Sequence, residues 1–163
     1  MCGIVGVVAQ RNATPILIRG LQRLEYRGYD SAGLAIVRAD GALRRLREVG
    51  KVQNLVDAVE RTPVTGGTGI AHTRWATHGK VTADNAHPHL SSSAEADQSV
   101  CLVHNGIIEN HTALRMELQE LGYEFFSQTD SEVIVHLIHH YLSAQPDLFE
   151  AVRQAVRRLE GAY

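Results

Sequence analysis

The chain has 163 residues, 44% of them apolar and 21% charged, the make-up of one ordinary globular domain with a sizeable core. A formal net charge of −2 offers no basic excess for nucleic acid or an anionic membrane. Two cysteines are too few for a disulfide-stapled secreted scaffold, which points to the cytoplasm.

The first apolar run, Ile4 to Ala9, is too short to span a bilayer, and no Lys or Arg precedes it as in a signal peptide. The stretch CGIVGVVA is β-branched and reads as a strand buried on both faces. Thr14 is the expected N-cap of a helix with Pro15 at its first position and Ile16, Ile18, Leu21 and Leu24 at helical spacing. Two strands, GLAIVRA and ALRRLREVG, flank Asp40-Gly41, a tight-hairpin dipeptide. Val52, Leu55, Val56 and Val59 mark one face of a second helix. GTGIAHTRWATHG starts as a strand and passes into a polar loop. SSSAEADQ reads as a flexible surface loop, and SVCLVHNG as a further strand. Three helices close the chain. The first ends at Gly122. The others open on the capping-box pairs Thr129/Glu132 and Asp147/Glu150. Strands apolar on both sides favour layered sheets with helices outside. Only about five strands are visible, however, fewer than two full sheets need.

Four segments carry residues suited to acyl transfer at nitrogen. Removal of Met1 would make Cys2 the first residue, with a free α-amine attached to a thiol. An ordinary thiol is only a few per cent thiolate at neutral pH, and the amine is a base of suitable strength to take its proton. A small buried hydrophobe is the other reading of Cys2, and the one assigned to Cys101. In AHTRWATHG, Arg74 offers a planar fork for a carboxylate and Trp75 a wall, with Thr77 and His78 before Gly79. A solvated Arg and a core Trp remain open there. Asn105 and Gly106 combine a side-chain amide with a glycine N–H, two donors for an oxyanion, or else form a simple Asn-Gly turn. Asp130 could accept from an ammonium group or merely complement a helix dipole. The nine histidines fit no tetrahedral metal spacing, and His136 and His140 lack the Glu of an H-E-x-x-H motif. No metal and no cofactor is expected.

Taken together, CGIVG at the start, RLEYRGYDSAG from Arg23 to Gly33, AHTRWATHG from Ala71 to Gly79 and VHNGIIENH from Val103 to His111 resemble class II glutamine amidotransferases. The words EYRGYDSAG and TRWATHG are closest to the branch that supplies ammonia to fructose 6-phosphate. The resemblance implies an α+β fold, the four-layer αββα sandwich of N-terminal nucleophile hydrolases. It also implies that residues 1–163 form one glutaminase domain that stops short of its last strands and of the sugar isomerase modules. By the same resemblance Cys2 is the nucleophile, and Asn105 and Gly106 are the oxyanion hole. Arg74 clamps the α-carboxylate of L-glutamine and Asp130 its α-ammonium. Trp75, Thr77 and His78 belong to a closing loop, and Arg27 supports the nucleophile. The implied partners are L-glutamine and, in the full-length enzyme, fructose 6-phosphate and further copies of the chain, with no nucleic acid and no membrane. The alternative is an inactive truncated piece with Met1 retained and only a structural or subunit-contact role.

Overall fold

A computed structural model describes residues 2–75, 79–92 and 98–163. The chain forms two compact units, the first through Pro88 and the second from His89 to Tyr163.

The first unit is built on a four-stranded sheet. Its strands are β1 (Gly3–Val8), β2 (Ser31–Val37), β3 (Leu43–Val49) and β4 (Thr68–Arg74), in the order β1-β4-β2-β3 with every neighbour antiparallel. Helices α1 (Thr14–Leu24) and α2 (Val52–Arg61) join them. Leu17 and Leu21 of α1 and Val52 and Leu55 of α2 are fully buried with Leu34, Ile36 and Ala71 of the sheet. The face expected of α2 is therefore the buried one, whereas in α1 the buried stripe runs through Leu17 and Leu21, with Ile16, Ile18 and Leu24 only half-buried. The Asp40-Gly41 hairpin also forms. Gly41 takes φ +81°, and the Asp40 carboxylate accepts from Ala42 N–H at 3.0 Å.

Two expectations fail in this unit. β1 is an edge strand covered on one side: Val5 and Val7 pack on the core, while Ile4 and Val8 are exposed. A run of apolar residues does not say how many faces are covered. Thr14 is not the N-cap of α1 but its first residue. Its hydroxyl donates to Val64 O at 2.7 Å, so a long-range contact takes the group that capping would use.

The second unit pairs β5 (His89–Ser92) with β6 (Ser99–Leu102) and β7 (Ile107–Ile108) with β8 (Gly161–Ala162), both antiparallel. Helices α3 (His111–Glu120), α4 (Ser131–Ala144) and α5 (Leu148–Val156) carry its core, with Leu118, Val133, Val135, Leu137, Ile138 and Ala155 buried. Gly122 ends α3 with φ +90° as expected. Asp147 caps α5, accepting from Glu150 N–H at 3.0 Å.

The Thr129/Glu132 capping box does not form. The Glu132 carboxylate instead accepts from Phe126 N–H at 3.0 Å, from Ser127 N–H at 2.8 Å and from Ser127 Oγ at 2.7 Å. It fastens the preceding loop rather than the helix end. The loop expected at 91–98 also begins later, since Ser91 and Ser92 belong to β5 and Ser91 is buried against His136, 2.9 Å away. Residues 93–97 lie outside the described residues. No described helix is long and apolar enough to cross a membrane.

Candidate active site

The site residues of the first unit are placed by strand register. β1 begins immediately after Cys2 and pairs with β4 so that Gly3 faces Thr73. Gly3 N–H also donates to Thr73 Oγ1 at 3.1 Å. This pairing carries Cys2 to the end of β4, where Trp75 N–H donates to Cys2 Sγ at 3.2 Å. A thiol 73 positions away in sequence is thus held by the backbone of the AHTRW segment. An N–H directed at sulfur suits the charge of a thiolate and fixes where the sulfur sits.

Arg74 is the last residue of β4 rather than a loop residue, and its side chain is almost fully buried. The guanidinium lies 3.7 Å from the Asp30 carboxylate and donates to Lys80 O at 3.4 Å. Asp30 is held in turn by Ser31 Oγ at 2.8 Å, and its own N–H donates to Arg74 O at 2.7 Å. A buried guanidinium braced by a carboxylate and a backbone carbonyl is held in a fixed orientation. Asp30 was not singled out by residue chemistry, although it stands inside the RLEYRGYDSAG word.

Trp75 is half exposed. Its indole lies against Gly28, where a Cβ would come within 2.5 Å of the ring, and Gly28 takes φ +110°. The glycine of EYRGYD is therefore required twice, by conformation and by the ring it admits. Arg27 ends the 3₁₀ turn Glu25–Arg27 and is exposed. Thr77, His78 and Met1 lie outside the described residues.

In the second unit, Asn105 and Gly106 stand exposed between β6 and β7. Neither takes a positive φ, so they do not form the type I′ Asn-Gly turn. A Cβ on Gly106 would collide with the carbonyl oxygen of Ala162 and come within 2.6 Å of His104 Nε2. Close approach, not turn chemistry, demands glycine there.

Asp130 immediately precedes α4. Its Oδ2 accepts from Ile108 N–H at 2.8 Å and its Oδ1 from Ser131 Oγ at 3.3 Å. Ser131 Oγ is also 3.0 Å from His104 Nδ1. Neither Ser131 nor His104 was singled out in the sequence. Cys101, expected in the core, is only partly buried. Among the described residues no three His, Cys, Asp or Glu side chains converge as a metal site. His72 stacks on His87 at 4.2 Å, and His89 bonds Thr129 Oγ1 at 3.0 Å.

A family profile described as a glutamine amidotransferase domain matches residues 72–163, more than half the chain. The chain belongs to that family. Across all 163 residues it is 63% identical to a glutamine–fructose-6-phosphate aminotransferase (isomerizing) of Pseudomonas putida and 61% identical to one of Bordetella pertussis. It spans 26% of the length of each of these relatives. Glutamine phosphoribosylpyrophosphate amidotransferase from B. subtilis superposes with a TM-score of 0.83 at 28% identity, over 99% of this chain and 33% of that one. An allosteric regulatory enzyme of purine biosynthesis gives 0.85 at 29% identity, over 100% of this chain and 34% of that one. The fold is thus the α+β fold of the N-terminal nucleophile glutamine amidotransferases, as the motifs implied.

Proposed function

We propose that this chain hydrolyses the side-chain amide of L-glutamine, as the glutaminase part of a glutamine–fructose-6-phosphate aminotransferase. Once Met1 is removed, the Cys2 amine takes the thiol proton and the sulfur attacks the carboxamide carbon. Asn105 and the Gly106 N–H receive the developing oxyanion. The protonated amine returns its proton to the departing nitrogen, so ammonia leaves and a glutamyl thioester remains. Water then cleaves the thioester to glutamate and restores the thiol. Arg74 takes the substrate's α-carboxylate and Asp130 its α-ammonium. Trp75, Thr77 and His78 close over the substrate, and Arg27 supports the nucleophile. The chemistry is acyl transfer, for which a cysteine suffices without a cofactor.

In the larger enzyme the ammonia would pass to fructose 6-phosphate, and that enzyme would be a cytoplasmic homo-oligomer. Residues 1–163 act in this reading as one glutaminase domain. The observation that carries it is the Trp75 N–H on Cys2 Sγ, which holds the thiol at the end of the strand whose last residue is the buried Arg74. Cys2→Ser is expected to abolish glutamine hydrolysis while leaving the unfolding midpoint near the wild-type value. Intact mass should show loss of one Met and a single adduct from a glutamine-like electrophile. Undiminished turnover in Cys2→Ser would reject the nucleophile; retained Met1 with no labelling would favour a purely structural piece.

A further inference from the structure

The Asp130 carboxylate is held from two directions within the second unit. Ile108 N–H occupies Oδ2 at 2.8 Å, and Ser131 Oγ reaches Oδ1 at 3.3 Å. A hydroxyl has one proton, and toward a carboxylate Ser131 must donate it. Ser131 Oγ therefore meets His104 Nδ1, 3.0 Å away, as an acceptor, and the imidazole proton sits on Nδ1. Burial lowers the His104 pKa against an opposing pull from Asp130, consistent with a neutral ring carrying that one proton. The unprotonated Nε2 then faces Gly106, at a distance that leaves no room for a Cβ. His104 thus touches the Asn105-Gly106 loop on one side and, through Ser131, the carboxylate ahead of α4 on the other. A carboxylate offers about four lone-pair directions. Two are taken, which fixes the plane in which the rest are presented.

We propose that Ser131 and His104 are positioning residues, a two-bond relay that orients the Asp130 carboxylate for the α-ammonium of glutamine. This rests on the glutaminase reading above. The relay reads one end of the substrate and takes no part in bond making, so its loss should weaken recognition of the amine and spare the chemical step. In the intact protein, Ser131→Ala is expected to raise the KM for glutamine roughly three- to tenfold, the size of one hydrogen bond to a charged group made less direct. kcat should change less than about twofold. The inhibition constant of 4-carbamoylbutanoate, which is glutamine without its α-amine, should not move, because that molecule presents nothing to Asp130. Ser131→Thr, which keeps the hydroxyl, should restore the KM.

Should Ser131→Ala unfold, His104→Ala compared with His104→Asn asks the same question, because Asn retains an N–H donor near the Nδ1 position. The proposal is overturned if KM stays at the wild-type value, or if glutamine and the des-amino inhibitor weaken equally, as a general structural defect would produce. Absence of any Cys2-dependent hydrolysis in the wild-type protein is a different result: it removes the glutaminase reading, and the relay's role with it.

Discussion

Gly28 shows how a single residue joins conformation to site geometry. Its φ of +110° is one that L side chains rarely adopt, and the space a Cβ would fill belongs to the Trp75 indole. Gly28→Ala should therefore cost about 1–3 kcal/mol of stability, from strain and overpacking together. It should also displace the ring. Trp75 is the chain's single tryptophan, so its emission reports that displacement directly; an unchanged spectrum and unfolding midpoint would show that the contact is dispensable. Gly106 makes the same point in the other unit, where neighbouring atoms rather than φ exclude a side chain. Both glycines stand inside the words that carried the resemblance. Their reasons could not be read there, because a motif does not show what presses against it.

At the scale of elements, the loop before α4 is tied down by Glu132 of that helix, which is almost fully buried. Burial by itself would raise the pKa of this carboxyl. The His136 imidazole 3.9 Å away and the donors from Phe126 and Ser127 outweigh it and hold the pKa at about 2, below its ordinary 4.5. The folded-state value is the depressed one, so the ionised form stabilises the fold fully above about 4.5, and that contribution is lost as pH falls toward about 2. Acid titration of the unfolding midpoint should accordingly fall more steeply for the wild type than for Glu132→Gln across that window. Equal slopes would mean that Glu132 is not the group responsible. The sequence marked Glu132 as half of a capping box, and the residue does accept backbone N–H donors, but from the loop before the helix. Local spacing identified a carboxylate near a helix start; it could not tell which donors the folded chain would bring to it. At α5 the sequence pair does give a cap, with Asp147 accepting from Glu150 N–H.

For the molecule as a whole, the proposed chemistry depends on the chain's first residue being Cys2. An extra residue left ahead of it would lock the amine into a peptide bond, and a general base typically contributes ~10²–10⁴ in rate. A variant with one Gly inserted before Cys2 is thus expected to lose glutamine hydrolysis by about that factor while unfolding like the wild type; full activity would show that the amine is not the base. The amino-acid sequence determined which candidate groups the chain carries and the packing stripe of α2. It also carried the hairpin at Asp40-Gly41, the end of α3 at Gly122 and the membership of the family. Each of these is written in residue type and short spacing, which local chemistry enforces. Tertiary structure alone decided that β1 lies at a sheet edge, that Ser91 belongs to a strand, and that Trp75 N–H meets the Cys2 sulfur. The same holds for Asp30 bracing Arg74, and for Ser131 and His104 standing behind Asp130. Those contacts join residues that are distant in sequence, or neighbours whose hydrogen-bonding groups had several partners within reach. Which partner prevailed was set by strand register and burial.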